Sequence, residues 1–134
     1  SITTTLPYLT IKNNKINKIR PSYFTMIKRL FYIDFSQNNI SIIEVDSFSK
    51  LSTLDHLDLS QNIINHLNSN IFIGLNFLSY LNLSFNFIDS ISNNLFRELS
   101  ILKVLDLRNN MIKLIEENSF QNLHSLKFFY LSFN

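Results

Sequence analysis

Between Leu54 and Phe77 the chain reads LDHLDLSQNIINHLNSNIFIGLNF, with the skeleton L-x-x-L-x-L-x-x-N-x-I-x-x-L, a Phe at place 19 and a Leu at place 22. The skeleton also starts at Leu6, Leu30, Leu78, Leu102 and Leu126, always 24 residues apart, and runs to Asn134 without insertion or deletion. A fixed period of this length constrains the fold more than any local propensity. One unit cannot bury its own apolar face, so units must stack into a solenoid. Within each unit places 1, 4 and 6 point inward. Places 4 and 6, as in Leu57/Leu59 or Leu81/Leu83, alternate at period two, the mark of a short strand with one buried side. Such strands recurring at a constant interval lie side by side in parallel. At about 4.8 Å per strand, the six make a sheet roughly 25–30 Å wide.

Two columns close the core. Asn14, Asn38, Asn62, Asn86, Asn110 and Asn134 share place nine. A side-chain amide both donates and accepts, so it can satisfy backbone groups where each strand turns out of the sheet, and the column predicts an asparagine ladder. Phe24, Phe48, Phe72, Phe96 and Phe120 share place 19 and predict an aromatic spine under the opposite side. Residues 1–5 read as a lead-in or the end of a preceding repeat, and 6–134 as repeats whose last copy stops at place nine. Neither end carries a polar cap, so the expectation is a segment of a longer protein.

With these columns in place, the chain resembles the leucine-rich repeat family, in the 24-residue form of Toll-like-receptor or adhesion-type ectodomains. The resemblance implies an α/β solenoid: a horseshoe with a parallel concave β-sheet and a convex side of loops and 3₁₀ turns. It also implies a cell-surface or secreted protein that binds proteins or microbial ligands, and it admits a parent that is membrane-anchored and dimeric. An intracellular scaffold built of the same repeats is the alternative. A repeat segment appended to an enzyme such as a kinase, and a hybrid or designed chain, are further readings.

Chemistry-bearing motifs are scarce. His56, His66 and His124 fall at places 3, 13 and 23, on different parts of the coil, and no metal-ligand spacing occurs. Gly74 is the single glycine, so no phosphate-cradling loop exists. The reading is therefore no enzyme, no cofactor and no metal. With a net charge of +2, and Lys12, Lys15, Lys18, Arg20, Lys28 and Arg29 spread around the coil, nucleic acid is not expected as a partner. Apolar runs are too short for this segment to insert in a membrane. The absence of cysteine carries little weight in a stacked array, whose interior units need no disulfides.

The informative positions are those that strand alternation turns outward on the concave face, at places 2, 3, 5, 7 and 8. Place 3 is a mostly aromatic row, and apolar density rises toward the C-terminal end. Tyr32, His56, Tyr80, Phe85, Val104, Phe128 and Tyr130 are the candidate ligand contacts, since exposed aromatics concentrate at interfaces. The competing reading is lateral stacking within a sheet, or cover by further repeats. On the contact reading, Tyr80 and Phe128 are replaceable without loss of stability. The acids of place 5 (Asp34, Asp58, Asp106), with Asp55 beside them, suit a solvated strand, a basic partner or a cation. Two N-glycosylation sequons start at Asn39 and Asn82, the second at the centre of the concave sheet.

Overall fold

The computed structural model describes residues 4–134, so the anticipated lead-in lies partly outside the described residues; Thr4–Thr5 pairs in parallel with Ile27–Arg29 through an irregular register. Six three-residue strands form the concave sheet: β1 (Tyr8–Thr10), β2 (Tyr32–Asp34), β3 (His56–Asp58), β4 (Tyr80–Asn82), β5 (Val104–Asp106) and β6 (Phe128–Tyr130). They pair in parallel in chain order. Place 4 faces place 4 throughout, Leu9 to Ile33 to Leu57 to Leu81 to Leu105 to Phe129. A one-residue slip would move every core side chain to the other face, and a 24-residue unit of constant length forbids it.

Behind the sheet, each repeat contributes one slice of core. Leu54, Leu57, Leu59, Ile64, Leu67, Phe72 and Leu75 of the third repeat are all buried. The chain leaves the sheet by the same turn each time. The place-8 residues Asn13, Gln37, Gln61, Phe85, Asn109 and Phe133 all have φ between 54° and 61°. This left-handed conformation aims the place-8 N–H at the next repeat, as in Gln61 N to Ser84 O at 3.0 Å and Phe85 N to Arg108 O at 2.9 Å.

Place nine then links repeats through its side chain. Asn62 Oδ1 accepts from Ile40 N at 2.9 Å, while its Nδ2 donates to Phe35 O, Leu59 O and Ser60 O at 3.0–3.1 Å. Asn38, Asn86, Asn110 and Asn134 repeat this set. Asn14 is exposed and, among the described residues, bonds only its own repeat, through Ile11 O and Lys12 O.

Among the described residues the convex side is built differently, from turns, one short 3₁₀ helix (Pro21–Phe24) and two-residue strands. Lys18–Ile19 pairs with Ile42–Ile43, and Ser90–Ile91 with Leu114–Ile115; His66–Leu67 of the third repeat joins neither. The place-19 rings stack in two groups. Phe24 and Phe48 lie 6.0 Å apart, and Phe72–Phe96–Phe120 are spaced at 6.1 and 5.9 Å. No ring pair joins Phe48 to Phe72 among the described residues. The spine anticipated as one column is interrupted between the second and third repeats.

Candidate functional site

Place 3 sets a row of side chains across β1 to β6, one per strand. Because the register never slips, neighbours are fixed at the inter-strand spacing, and planar rings at that spacing stack. Tyr32 and His56 stack with centroids 4.4 Å apart, and His56 and Tyr80 at 4.0 Å with planes 3° apart. Tyr8 leans on Tyr32 at 6.1 Å. The faces of His56 are thus occupied by its neighbours, and Tyr32, His56, Tyr80 and Val104 are half-buried. Burial holds the His56 imidazole below its usual range, against the opposing pull of Asp58, Asp55 and Asp34, so the ring is neutral at pH 7. Burial also raises Tyr32 and Tyr80, helped by Asp34 and Asp58 beside Tyr32 and by Asp58 and Asp106 beside Tyr80.

From Tyr80 onward the row changes character. Val104 is short, and this opens a hollow of about 390 Å³ lined by Tyr80, Val104, Asp106, Arg108, Phe128 and Tyr130. Four of the seven candidate contacts line it. Phe128 and Tyr130 are well exposed, whereas Asp106 is buried. Arg108 crosses the hollow's edge: its Nη2 and Nε donate to the Asp106 carboxylate at 2.6 and 3.0 Å, and its guanidinium lies 4.8 Å from the Tyr130 ring centroid. The Asp106 hydrogen bond and charge raise the Arg108 pKa further. The hollow thus presents apolar walls beside a fixed guanidinium, with the carboxylate already paired.

Tyr32 and His56 lie outside the hollow, in the stacked part of the row. Phe85 lies at the left-handed turn after β4 and is exposed, as is Phe133 at the equivalent place. A bulky side chain at positive φ is uncommon and strained, so these two rings are held where Asn or Gln would sit more easily.

The place-5 acids depart from expectation. Asp34, Asp58 and Asp106 are not solvated carboxylates awaiting a cation; each Oδ1 accepts the N–H two residues on, at Ser36, Ser60 and Arg108, at 2.8–3.0 Å. Asn82 does the same for Ser84 N at 3.0 Å. This closes the strand end before the left-handed turn, and it buries Ser36, Ser60 and Ser84, which alternation alone would have turned outward at place 7. The Tyr80 expectation also changes. Its ring completes the stack on His56, so its removal costs packing, and Phe128 is the cleaner probe.

The two sequons occupy unlike settings. Asn39 is exposed. Asn82 is half-buried in the middle of the sheet, its Nδ2 donating to Asp58 Oδ2 at 3.3 Å and its Oδ1 accepting from Ser84 Oγ at 2.8 Å. No cluster of three or more His, Asp or Glu able to hold a metal occurs among the described residues. No helix there is long and apolar enough to cross a membrane.

A parallel sheet of one strand per 24 residues, closed by an asparagine column, defines a solenoid of the leucine-rich class. The chain belongs to the leucine rich repeat family, whose model matches residues 4–62, 43–88 and 78–134. Solved structures similar to it include Toll and Toll-like-receptor proteins. A TLR13–ssRNA13 complex is similar at 28% identity over 95% of this chain and 21% of that one, with TM-score 0.71. A Drosophila Toll–Spatzle complex is similar at 23% identity over 87% and 16%, with TM-score 0.84, and its glycosylated form at 19% over 89% and 19%, with TM-score 0.79. The chain spans about a fifth of these proteins' length. No curated protein matches it. The sequence-based exclusion of nucleic acid gains no support from these neighbours, one of which is a complex with ssRNA.

Proposed function

We propose that the chain is a non-catalytic recognition module that binds a macromolecular ligand, a protein first of all, in the hollow at β4 to β6. The observation that carries this reading is the juxtaposition of exposed Phe128 and Tyr130, on edge strand β6, with the Arg108 guanidinium beside β5, a strand held by parallel pairing to β4 and β6. Aromatic and Arg side chains in a pocket are the usual anchors of protein interfaces. A pre-ordered sheet loses less conformational entropy on binding than a loop would. The wider setting we propose is a cell-surface receptor or secreted adhesion protein, in keeping with the Toll-type neighbours.

A nucleic-acid ligand is the second reading, favoured by the TLR13 complex with ssRNA. It is the weaker of the two for this segment, because a base needs a free aromatic face and His56 has both faces covered by Tyr32 and Tyr80.

The test is to screen the immobilised chain and its Phe128→Ala variant against an array of secreted and surface proteins and against a pool of single-stranded RNA. A protein bound by the parent and at least tenfold more weakly by the variant supports the reading. Capture of RNA alone, or protein binding indifferent to Phe128, overturns it. For the setting, exposed Asn39 is the sequon we propose to carry a sugar. Peptide mass spectrometry on native material should find Asn39 modified and Asn82 bare, and unmodified Asn39 would turn the reading toward an intracellular scaffold.

A further inference from the structure

On the convex side two of the seams between repeats are closed by the same cassette. In the second and fifth repeats, places 15 to 19 read EVDSF and EENSF, with Asp46 and Asn118 at φ 63° and 65°. The left-handed residue turns the following serine back on the preceding repeat. Ser47 Oγ then donates to Ile19 O at 3.1 Å and Ser119 Oγ to Ile91 O at 3.2 Å. Glu44 N and Glu116 N bond the same two carbonyls at 3.0 and 2.9 Å. Ser41 N to Asn17 O at 3.0 Å and Lys113 N to Asp89 O at 2.8 Å complete these two seams.

The third and fourth repeats have NSNIF and SNNLF in place of the cassette. The fourth is still tied to the third by Phe87 N to Ile64 O at 2.8 Å, Asp89 N to Asn65 O at 3.3 Å and Gly74 N to Glu98 Oε2 at 2.7 Å, whereas the third is tied to the second by less. Ile71 stands where the serine would be and has no hydroxyl to offer Ile43 O. Among the described residues, Ile63 N to Ile40 O is the backbone bond that joins the second and third repeats beyond the asparagine turn. Past it, no hydrogen bond joins residues 41–43 to residues 65–68 among the described residues. A groove of about 210 Å³ opens there, lined by Ser41, Ile43, Asn65, His66, Asn68 and Ile71. The spine breaks at the same seam, between Phe48 and Phe72. Gly74, at φ +89°, turns the third repeat against the second lower down, where an added Cβ would lie 2.6 Å from Ser49 O. The concave side of this seam is intact: β2 pairs with β3, and Tyr32 stacks on His56.

In a stacked array, stability is a sum of repeat terms and nearest-neighbour terms, so the interface with fewest bonds opens first. We propose that the solenoid yields at the seam between the second and third repeats, its convex edge opening and closing about the concave sheet as pivot. Such motion changes the angle between the second and third coils, and so the curvature of the recognition face, at one place in the array.

Hydrogen exchange on the unmodified chain tests this, because matched amides flank both kinds of seam. Ile40 N bonds Asn62 Oδ1 at 2.9 Å and Ile63 N bonds Ile40 O at 3.0 Å; their counterparts Ile88 N and Met111 N bond Asn110 Oδ1 and Ile88 O, both at 3.0 Å. After correction for intrinsic rates, Ile40 and Ile63 should exchange at least about fivefold faster than Ile88 and Met111. A smaller difference, or the reverse order, overturns the proposal. Grafting the cassette by Asn68→Glu, Ser69→Val, Asn70→Asp and Ile71→Ser should return the two seam amides to their counterparts' rates. A folded graft with unchanged seam exchange would show that the missing cassette is not the cause. Should the graft not fold, exchange in the parent still decides.

Discussion

The two sides of this solenoid follow different rules. On the concave side the repeats make the same bonds: place 4 pairs with place 4, place 8 turns left-handed, and from the second repeat on an asparagine ties each turn to the repeat before it. On the convex side the bonds differ from seam to seam. They are dense between the first and second repeats and between the fourth and fifth, and sparse between the second and third. The difference teaches that one set of residues fixes the fold while another sets how stiffly neighbouring coils are held. Strand pairing and buried asparagine amides allow almost no variation, because an unmet buried amide or carbonyl is costly. A convex turn near solvent can lose a bond and let water replace it.

The most severe break should come from the spine. Phe72→Ala removes a fully buried ring that stacks on Phe96, and it should cost about 3–5 kcal/mol in denaturant unfolding. A loss below about 1 kcal/mol would mean that the third repeat's core is already loose. Next is the ladder. Asn62→Ala leaves the Ile40 N–H without its partner and removes one of two amide donors from Phe35 O and from Leu59 O, which keep Asn38 and Asn86, and should cost about 1–3 kcal/mol, whereas Asn14→Ala, on an exposed residue, should cost under about 0.5 kcal/mol. Equal melting temperatures for the two variants would contradict the inter-repeat role of the amide.

A smaller effect of opposite sign is expected at the turn. Phe85→Asn places a residue suited to positive φ where an exposed aromatic now sits, and should stabilise the chain by about 1 kcal/mol. A destabilised variant would show that the Phe85 ring packs in a way its exposure does not suggest.

The smallest effect is one of pH. His56 is held below its usual range by burial, so the folded chain binds fewer protons than the unfolded one near pH 6. Its stabilising contribution is therefore complete above the unfolded value of about 6.5 and is lost as pH falls through the lower folded value. Melting temperature should decline from pH 7 toward pH 5, less steeply in His56→Phe. Parallel declines in parent and variant would assign the pH dependence elsewhere.

Most of the concave architecture is legible in the residues because it repeats. A leucine at places 4 and 6 in successive units leaves one strand position, one register and one inward face. The left-handed turn is not legible, since Gln37, Gln61 and Phe85 carry no signal of positive φ comparable to glycine. Nor is the work of Asp34, Asp58 and Asp106, whose alternation suggests solvent but whose carboxylates cap the strand ends. The hollow is only partly visible. The aromatic row points to Tyr80, Val104, Phe128 and Tyr130, but the pairing of Arg108 with Asp106 and its seat on Tyr130 depend on side-chain paths that spacing does not give. The weak seam hides in a short difference, NSNIF against EVDSF, whose meaning lies in one hydroxyl and one carbonyl of the neighbouring repeat.

The central claim is that recognition at the hollow is separable from the fold beneath it. It is tested most directly by measuring, for the protein partner found with the parent chain, both affinity and thermal unfolding of Phe128→Ala. Phe128 is exposed and makes no ring pair among the described residues, so binding should weaken at least tenfold, about 1.4 kcal/mol, while the melting temperature stays within about 2 °C of the parent. Unchanged affinity, or a loss of affinity accompanied by a matching loss of stability, would contradict it.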